Sequence, residues 1–154
     1  MSRHSELAKE LFEQGYNCCQ SVVLAFCDEI GMDKETALKI SSSFGGGMGR
    51  LREVCGAVSG MFMILGLIDG YSDPADKEGK TNHYKLIQDK AEIFKNKNGS
   101  IICRELTGLE SGKDRYVPAD RTEQYYQTRP CSHLVEHAAE ILDEYLEMNR
   151  DSGR

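Results

Sequence analysis

The sequence predicts an all-α fold, a single-domain helical bundle of about six or seven helices around a central apolar helix at residues 53–69. Apolar residues recur at spacings of three and four, turn-forming residues separate the runs, and no stretch sustains the strict alternation of a half-buried strand. The chain has 154 residues, 40% of them hydrophobic, which suits one core. A domain near that length buries roughly 70% of the surface its unfolded chain exposes. No repeat, low-complexity linker or composition shift divides the sequence, so residues 1–154 read as one domain with a frayed tail after residue 148.

Leu7, Ala8, Leu11 and Phe12 form the stripe of a first helix that stops at Gly15. Asn17 and Gln20 have capping-box spacing, and Val22, Val23, Phe26 and Ile30 continue one buried face as far as Gly31. Asp33 caps a third helix from Lys34 to about Ser43. After Phe-Gly-Gly-Gly-Met-Gly-Arg comes the 53–69 helix, apolar nearly all round and therefore central. Asp73-Pro74 is a start signal for a fifth helix with the stripe Tyr84, Ile87, Ala91 and Phe94. Ser100 caps a short sixth helix ending near Gly108, residues 109–128 read as irregular, and Pro130 opens a last helix. Its face is Leu134, Val135, Ala138, Ile141, Leu142 and Tyr145.

Nineteen basic against 25 acidic side chains give a net charge of −6, and no Lys/Arg cluster with interleaved aromatics stands out, which argues against nucleic acid as a partner. The N-terminal stretch has no apolar h-region, so it does not read as a signal peptide. The longest nearly apolar run, Val54 to Ile68, is shorter than the about 20 residues of a bilayer span, so no membrane span is expected. The expected location is cytoplasmic, where thiols stay reduced and cysteine sets serve metals or catalysis more often than disulfides.

Cysteines stand at 18, 19, 27, 55, 103 and 131. On the helix map Cys18, Cys55, Cys103 and Cys131 each fall in the first turn of a different helix, where free N–H groups and the helix dipole favour a thiolate. Cys19 aligns with Val22, Val23 and Phe26 as a core residue, and Cys27 reads as plain packing. The four are 37, 48 and 28 residues apart with no Cys-x-x-Cys, so a shared site has to be assembled by the fold.

Gly45, Gly46, Gly47, Gly49, Gly56 and Gly60 fall within sixteen residues. One reading is a cofactor-binding loop, in which the N–H groups of Gly45, Gly46, Gly47, Gly49 and Gly56 line an anion or cluster beside Cys55. The other is a tight connection plus a Gly-x-x-x-Gly face that admits a close neighbour. The run lacks the Gly-Lys-Ser/Thr of a phosphate-binding P-loop. His133 and His137 have i, i+4 spacing, but Leu134 and not Glu follows His133, so the metalloprotease motif is absent and the two read as a solvent-facing pair; His4 and His83 read as surface residues.

Together Gly15-Tyr16-Asn17-Cys18, the glycine loop from Phe44 to Gly49, Cys55-Gly56-Ala57-Val58-Ser59-Gly60, Cys103-Arg104-Glu105-Leu106 and Cys131 resemble the C_GCAxxG_C_C family of redox-active proteins over about residues 5–147. Cys19 departs from the family pattern, which has a small residue there, and Cys18 is the favoured member of the adjacent pair. The resemblance implies redox-active cysteines without supplying a substrate.

Three mechanisms remain open on the sequence. In the first, Cys18, Cys55, Cys103 and Cys131 are the ligands of an iron–sulfur cluster used for electron transfer or redox sensing. In the second, two of them, with Cys55 as candidate nucleophile, exchange disulfides. The third is a structural or zinc-bound helical domain that docks on a partner, with the Gly-x-x-x-Gly face as one route. The expected partners are a redox partner protein and, in a homodimer, a second copy of the chain.

Overall fold

The computed structural model of the protein describes residues 2–109 and 114–151. Arg3–Glu13 forms α1, capped by Ser2, whose hydroxyl accepts from the Ser5 N–H while Ser5 Oγ accepts from Ser2. Ala8, Leu11 and Phe12 are buried, whereas Leu7 at the stripe's edge is exposed. α2, Cys18–Ala25, starts on the expected capping box. Asn17 Oδ1 accepts from the Gln20 N–H at 2.8 Å, and Gln20 Oε1 from the Asn17 N–H at 3.1 Å.

The continuous helix expected as far as Gly31 is interrupted at Phe26 (φ −105°, ψ 8°), and Cys27–Ile30 forms a separate turn, α3. The break coincides with full burial of the Phe26 ring, stacked on His4 at 4.2 Å between centroids. His4 is therefore not the surface residue the sequence implied, and its Nδ1 lies 2.6 Å from Asp143 Oδ1. α4, Lys34–Ser41, is capped by the Asp33 carboxylate as expected. A 3₁₀ turn, Ser42–Phe44, and a single glycine-rich turn, α5 (Gly45–Met48), follow.

α6, Gly56–Asp69, begins three residues later than its hydrophobicity suggests. Residues 53–55 are held extended by a lone antiparallel bridge, Val54 to Ile102. There the Cys55 N–H donates to the Ile101 carbonyl at 2.8 Å and the Cys103 N–H to the Glu53 carbonyl at 2.6 Å. A pairing this short leaves no alternating pattern in the sequence.

α7, Lys77–Asn98, is capped by Asp76, not started by Pro74; Asp73 only closes a turn onto the Ala75 N–H. Phe94 is its one fully buried side chain, while Tyr84, at the other end of the expected stripe, is exposed. α8, Cys103–Thr107, ends at left-handed Gly108, and Ser100 caps the turn just before it by accepting from the Ile102 N–H.

The expected irregular segment 109–128 lies partly outside the described residues, and its end is a helix, α9 (Glu123–Thr128), capped by Thr122. Its sequence, Glu-Gln-Tyr-Tyr-Gln-Thr, has no aliphatic stripe to announce it. α10, Cys131–Asp151, runs past the point where fraying was expected.

The described residues are all-α, a helical bundle, with more short helices than the six or seven expected. α6 packs chiefly on α2 and α1 on α10, and α10 also meets α6 and α2. Phe12, Phe26, Met61, Ile64, Leu65, Val135 and Leu142 are among the large fully buried side chains where these helices meet. Each such burial contributes about 1.5–3 kcal/mol. No helix of the described residues is long and apolar enough to cross a membrane.

Candidate functional site

Four cysteines far apart in sequence meet at one end of the bundle. Cys18 is the first residue of α2, Cys103 of α8 and Cys131 of α10, while Cys55 is the N-cap of α6. All four line a single cavity of about 50 Å³. The bridge at Val54 and Ile102 brings the α6 and α8 starts together, and the α2–α6 and α10–α6 packing supplies the other two. Cys18, Cys55 and Cys103 are buried and Cys131 is half-buried; none of the six cysteines is in a disulfide. Cys19 faces the core instead, with its Sγ 3.9 Å from Met63 Sδ, and Cys27 donates back across the break at Phe26 to the Val23 carbonyl of α2.

Several of the clustered glycines hold their places for steric reasons that centre on these sulfurs. A Cβ on Gly56 would lie 2.4 Å from Cys18 Sγ, and one on Gly47 would lie 2.6 Å from Cys103 Cβ. Gly46 and Gly47 also have φ near +68°, a left-handed conformation that disfavours side chains. Gly45 is closed by the Asn17 side chain, whereas a Cβ on Gly49 would meet the Ser43 carbonyl at an ordinary 3.7 Å. Gly60 abuts the Cys19 carbonyl and Val22, so the Gly-x-x-x-Gly face is filled by α2 of the same chain. That leaves no open Gly-x-x-x-Gly face for an external partner.

Helix N-terminal placement alone would lower a thiol pKa, but at Cys18, Cys55 and Cys131 burial wins. It pushes the Cys18 thiol up, against donation from the Gly46 N–H, and the nearby Cys103 adds to the rise. Cys55 stands well above its ordinary value through burial and then the proximity of Cys18, although the Ala57 and Val58 N–H groups donate to it. Cys131 is pushed up to about 12 by burial, then by Cys18 and Cys103.

Arg52 and Arg121 bring positive charge to the lining of this cavity, and Arg52 makes direct contact with a sulfur. Arg52 is only 6% exposed, adopts φ +61°, and points Nη1 at Cys103 Sγ, 3.6 Å away. Burial works against its charge, but hydrogen bonds to Asp114 and Cys103 outweigh it and raise its pKa. Asp114 accepts from Arg52 Nη2 at 2.8 Å and from Arg50 Nη2 at 3.0 Å. The Arg52 hydrogen bond and the Arg115 backbone N–H hold its carboxyl at about 2. Sequence reasoning missed Arg52 and Asp114, because nothing in Gly-Arg-Leu-Arg distinguishes a buried guanidinium from a solvated one.

The histidines stay apart from the site. His133 is exposed and meets Glu136, and His137 pairs with Asn98 on α7. Among the described residues no group of three or more His, Cys, Asp or Glu side chains stands as it is in positions that hold a metal ion. The four sulfurs line a cavity and do not close on a point.

No curated protein and no solved structure matches the chain. A family model described as "Putative redox-active protein (C_GCAxxG_C_C)" matches residues 16–145, a span that holds all four cavity cysteines, the glycine loop and Arg52. The chain therefore belongs to the C_GCAxxG_C_C family.

Proposed function

We propose that Cys18, Cys55, Cys103 and Cys131 are the ligands of an iron–sulfur cluster and that the protein transfers electrons or senses redox state through it. The observation that carries this reading is that four cysteines from four helices line one cavity. The donor chemistry suits the group, since such clusters are held by four thiolates and tuned by hydrogen bonds to sulfur. Gly46, Ala57 and Val58 supply N–H donors, Arg52 supplies a positive charge, and Gly56 leaves room that a Cβ would fill. The cluster, when bound, supplies one-electron chemistry. The chain's own residues bind it, exclude water and offset the negative charge of four thiolates.

A group of several atoms fits the spread of sulfurs better than one zinc ion, which needs every sulfur about 2.3 Å from a common point. Disulfide exchange asks for an accessible, low-pKa thiol, and burial of Cys18, Cys55 and Cys103 works against that; half-buried Cys131 is the best placed of the four. A cytoplasmic location, a redox partner protein and a homodimer belong to the same proposal.

The test is anaerobic purification followed by visible spectroscopy and iron, sulfide and zinc analysis. Stoichiometric iron and sulfide with a visible chromophore support the reading. Stoichiometric zinc alone, or a colourless metal-free protein whose thiols cycle reversibly to a disulfide, overturns it.

A further inference from the structure

Beside the cysteine cavity lies a second, more open cavity of about 250 Å³, and its chemistry is cationic. Arg50, Arg52, Arg121 and Arg129 line it together with Tyr116 and Tyr125. Arg52, Arg121 and Tyr125 line the cysteine cavity as well, so the two spaces share a wall. Four guanidinium groups at one mouth are unexpected in a chain of net charge −6.

Their charges are poorly balanced. Among the described residues Asp114 is the one carboxylate bonded to them, and Arg50 and Arg52 share it. Arg121 donates to the carbonyls of Phe12 (3.0 Å) and Tyr16 (3.2 Å), and its guanidinium lies 4.1 Å from the Phe12 ring centre. These partners position it without neutralising it. The Arg129 guanidinium has no hydrogen bond or ion pair among the described residues and lies over the Tyr125 ring. Arg50 Nε is buried without a hydrogen-bond partner, an unmet donor that a ligand oxygen would satisfy.

We propose that this cavity binds a small dianion carrying carboxylate or phosphate groups and holds it against the cysteine site. Planar guanidinium groups pair bidentately with both oxyanions, which is the chemistry that several converging arginines serve best. The volume falls just below the about 300 Å³ at which pockets for larger organic ligands begin, so the ligand is compact. That the dianion is a substrate or effector of the cysteines rests on the redox reading above; that it binds does not.

The experiment is titration calorimetry of the reduced protein with inorganic phosphate and, separately, succinate, at one fixed ionic strength, with acetate as the monovalent control. The expected result is one-to-one binding of one probe with Kd below about 1 mM. Arg129→Gln and Arg50→Gln should each weaken it about tenfold or more, as loss of a charged hydrogen bond does. Lys85→Gln, at a side chain exposed on α7, should leave it unchanged. Phosphate or succinate as the tighter probe assigns the oxyanion. Absence of binding for both, or equal weakening in Lys85→Gln and Arg129→Gln, overturns the proposal. Probe binding without any chromophore or thiol redox activity would retain this site and remove only the redox reading; the reverse pattern would do the opposite.

Discussion

Replacing Gly56 by alanine tests the closeness of α6 to the first cysteine. The new Cβ would lie 2.4 Å from Cys18 Sγ, 2.8 Å from the Phe44 carbonyl oxygen and 3.1 Å from the Cys19 nitrogen. Two of these neighbours are backbone atoms, so relief requires α2 or the 3₁₀ turn that ends at Phe44 to move. Overpacking of this kind costs about 1–3 kcal/mol. Alanine's better helix propensity returns at most about 1 kcal/mol. A net loss of about 1–2 kcal/mol corresponds to a fall in Tm of about 2–8 °C for a chain of this size. Gly66→Ala, in the same helix with nothing within 4 Å of the new Cβ, should instead stabilise by about 0.5–1 kcal/mol. Thermal unfolding followed by circular dichroism reads both. A neutral or stabilising Gly56→Ala, or the same sign for both variants, would refute the close approach.

Three further outcomes are expected. Phe94→Ala removes the one fully buried anchor of α7 and should cost about 3–5 kcal/mol in urea unfolding, whereas a loss under about 1 kcal/mol would mean that α7 is not held by its ring. His137 has its pKa lowered by burial and then by Lys97, so the unfolded chain binds the proton more readily than the folded one. Stability should therefore fall as pH drops through the unfolded value near 6.5, and His137→Gln should flatten that slope without changing it above pH 7.5; an unchanged slope counts against the assignment. Asp114, held at about 2, contributes stability that is full above its unfolded pKa of 3.8 and is lost as pH falls through the folded value. Asp114→Asn should lower Tm at neutral pH and shrink the difference between wild type and variant on acidification, as differential scanning at pH 7 and pH 2.5 would show.

The helices were legible where a side chain both caps and faces the core. Asn17 with Gln20, Asp33 and Pro130 marked three starts that the structure keeps within a residue or so. Pro74 misled because Asp76 is the better cap two residues on, and α6 started late because the Glu53–Cys55 backbone spends its hydrogen bonds across to residues 101–103. α9 escaped notice because it packs through Tyr125 and Tyr126 and has no aliphatic stripe.

At the site, the helix-start positions of Cys18, Cys55, Cys103 and Cys131 and the packing roles of Cys19 and Cys27 could be read from where each falls on its helix, but the meeting of the four at one cavity could not, because it depends on how the helices pack. Thiol acidity could not, since it turns on burial that only the assembled bundle creates. Arg52, Asp114 and Arg129 were invisible for the same reason: their roles come from long-range proximity and not from local spacing.

The most direct test of the central claim is the iron and sulfide content of six single variants purified anaerobically: Cys18→Ser, Cys55→Ser, Cys103→Ser, Cys131→Ser, Cys19→Ala and Cys27→Ala. The account predicts loss of iron, sulfide and the visible chromophore in the first four and retention in the last two, with the folded helical content checked by circular dichroism in each. Retention in any of the first four, or equal loss in Cys27→Ala while it remains folded, would contradict it.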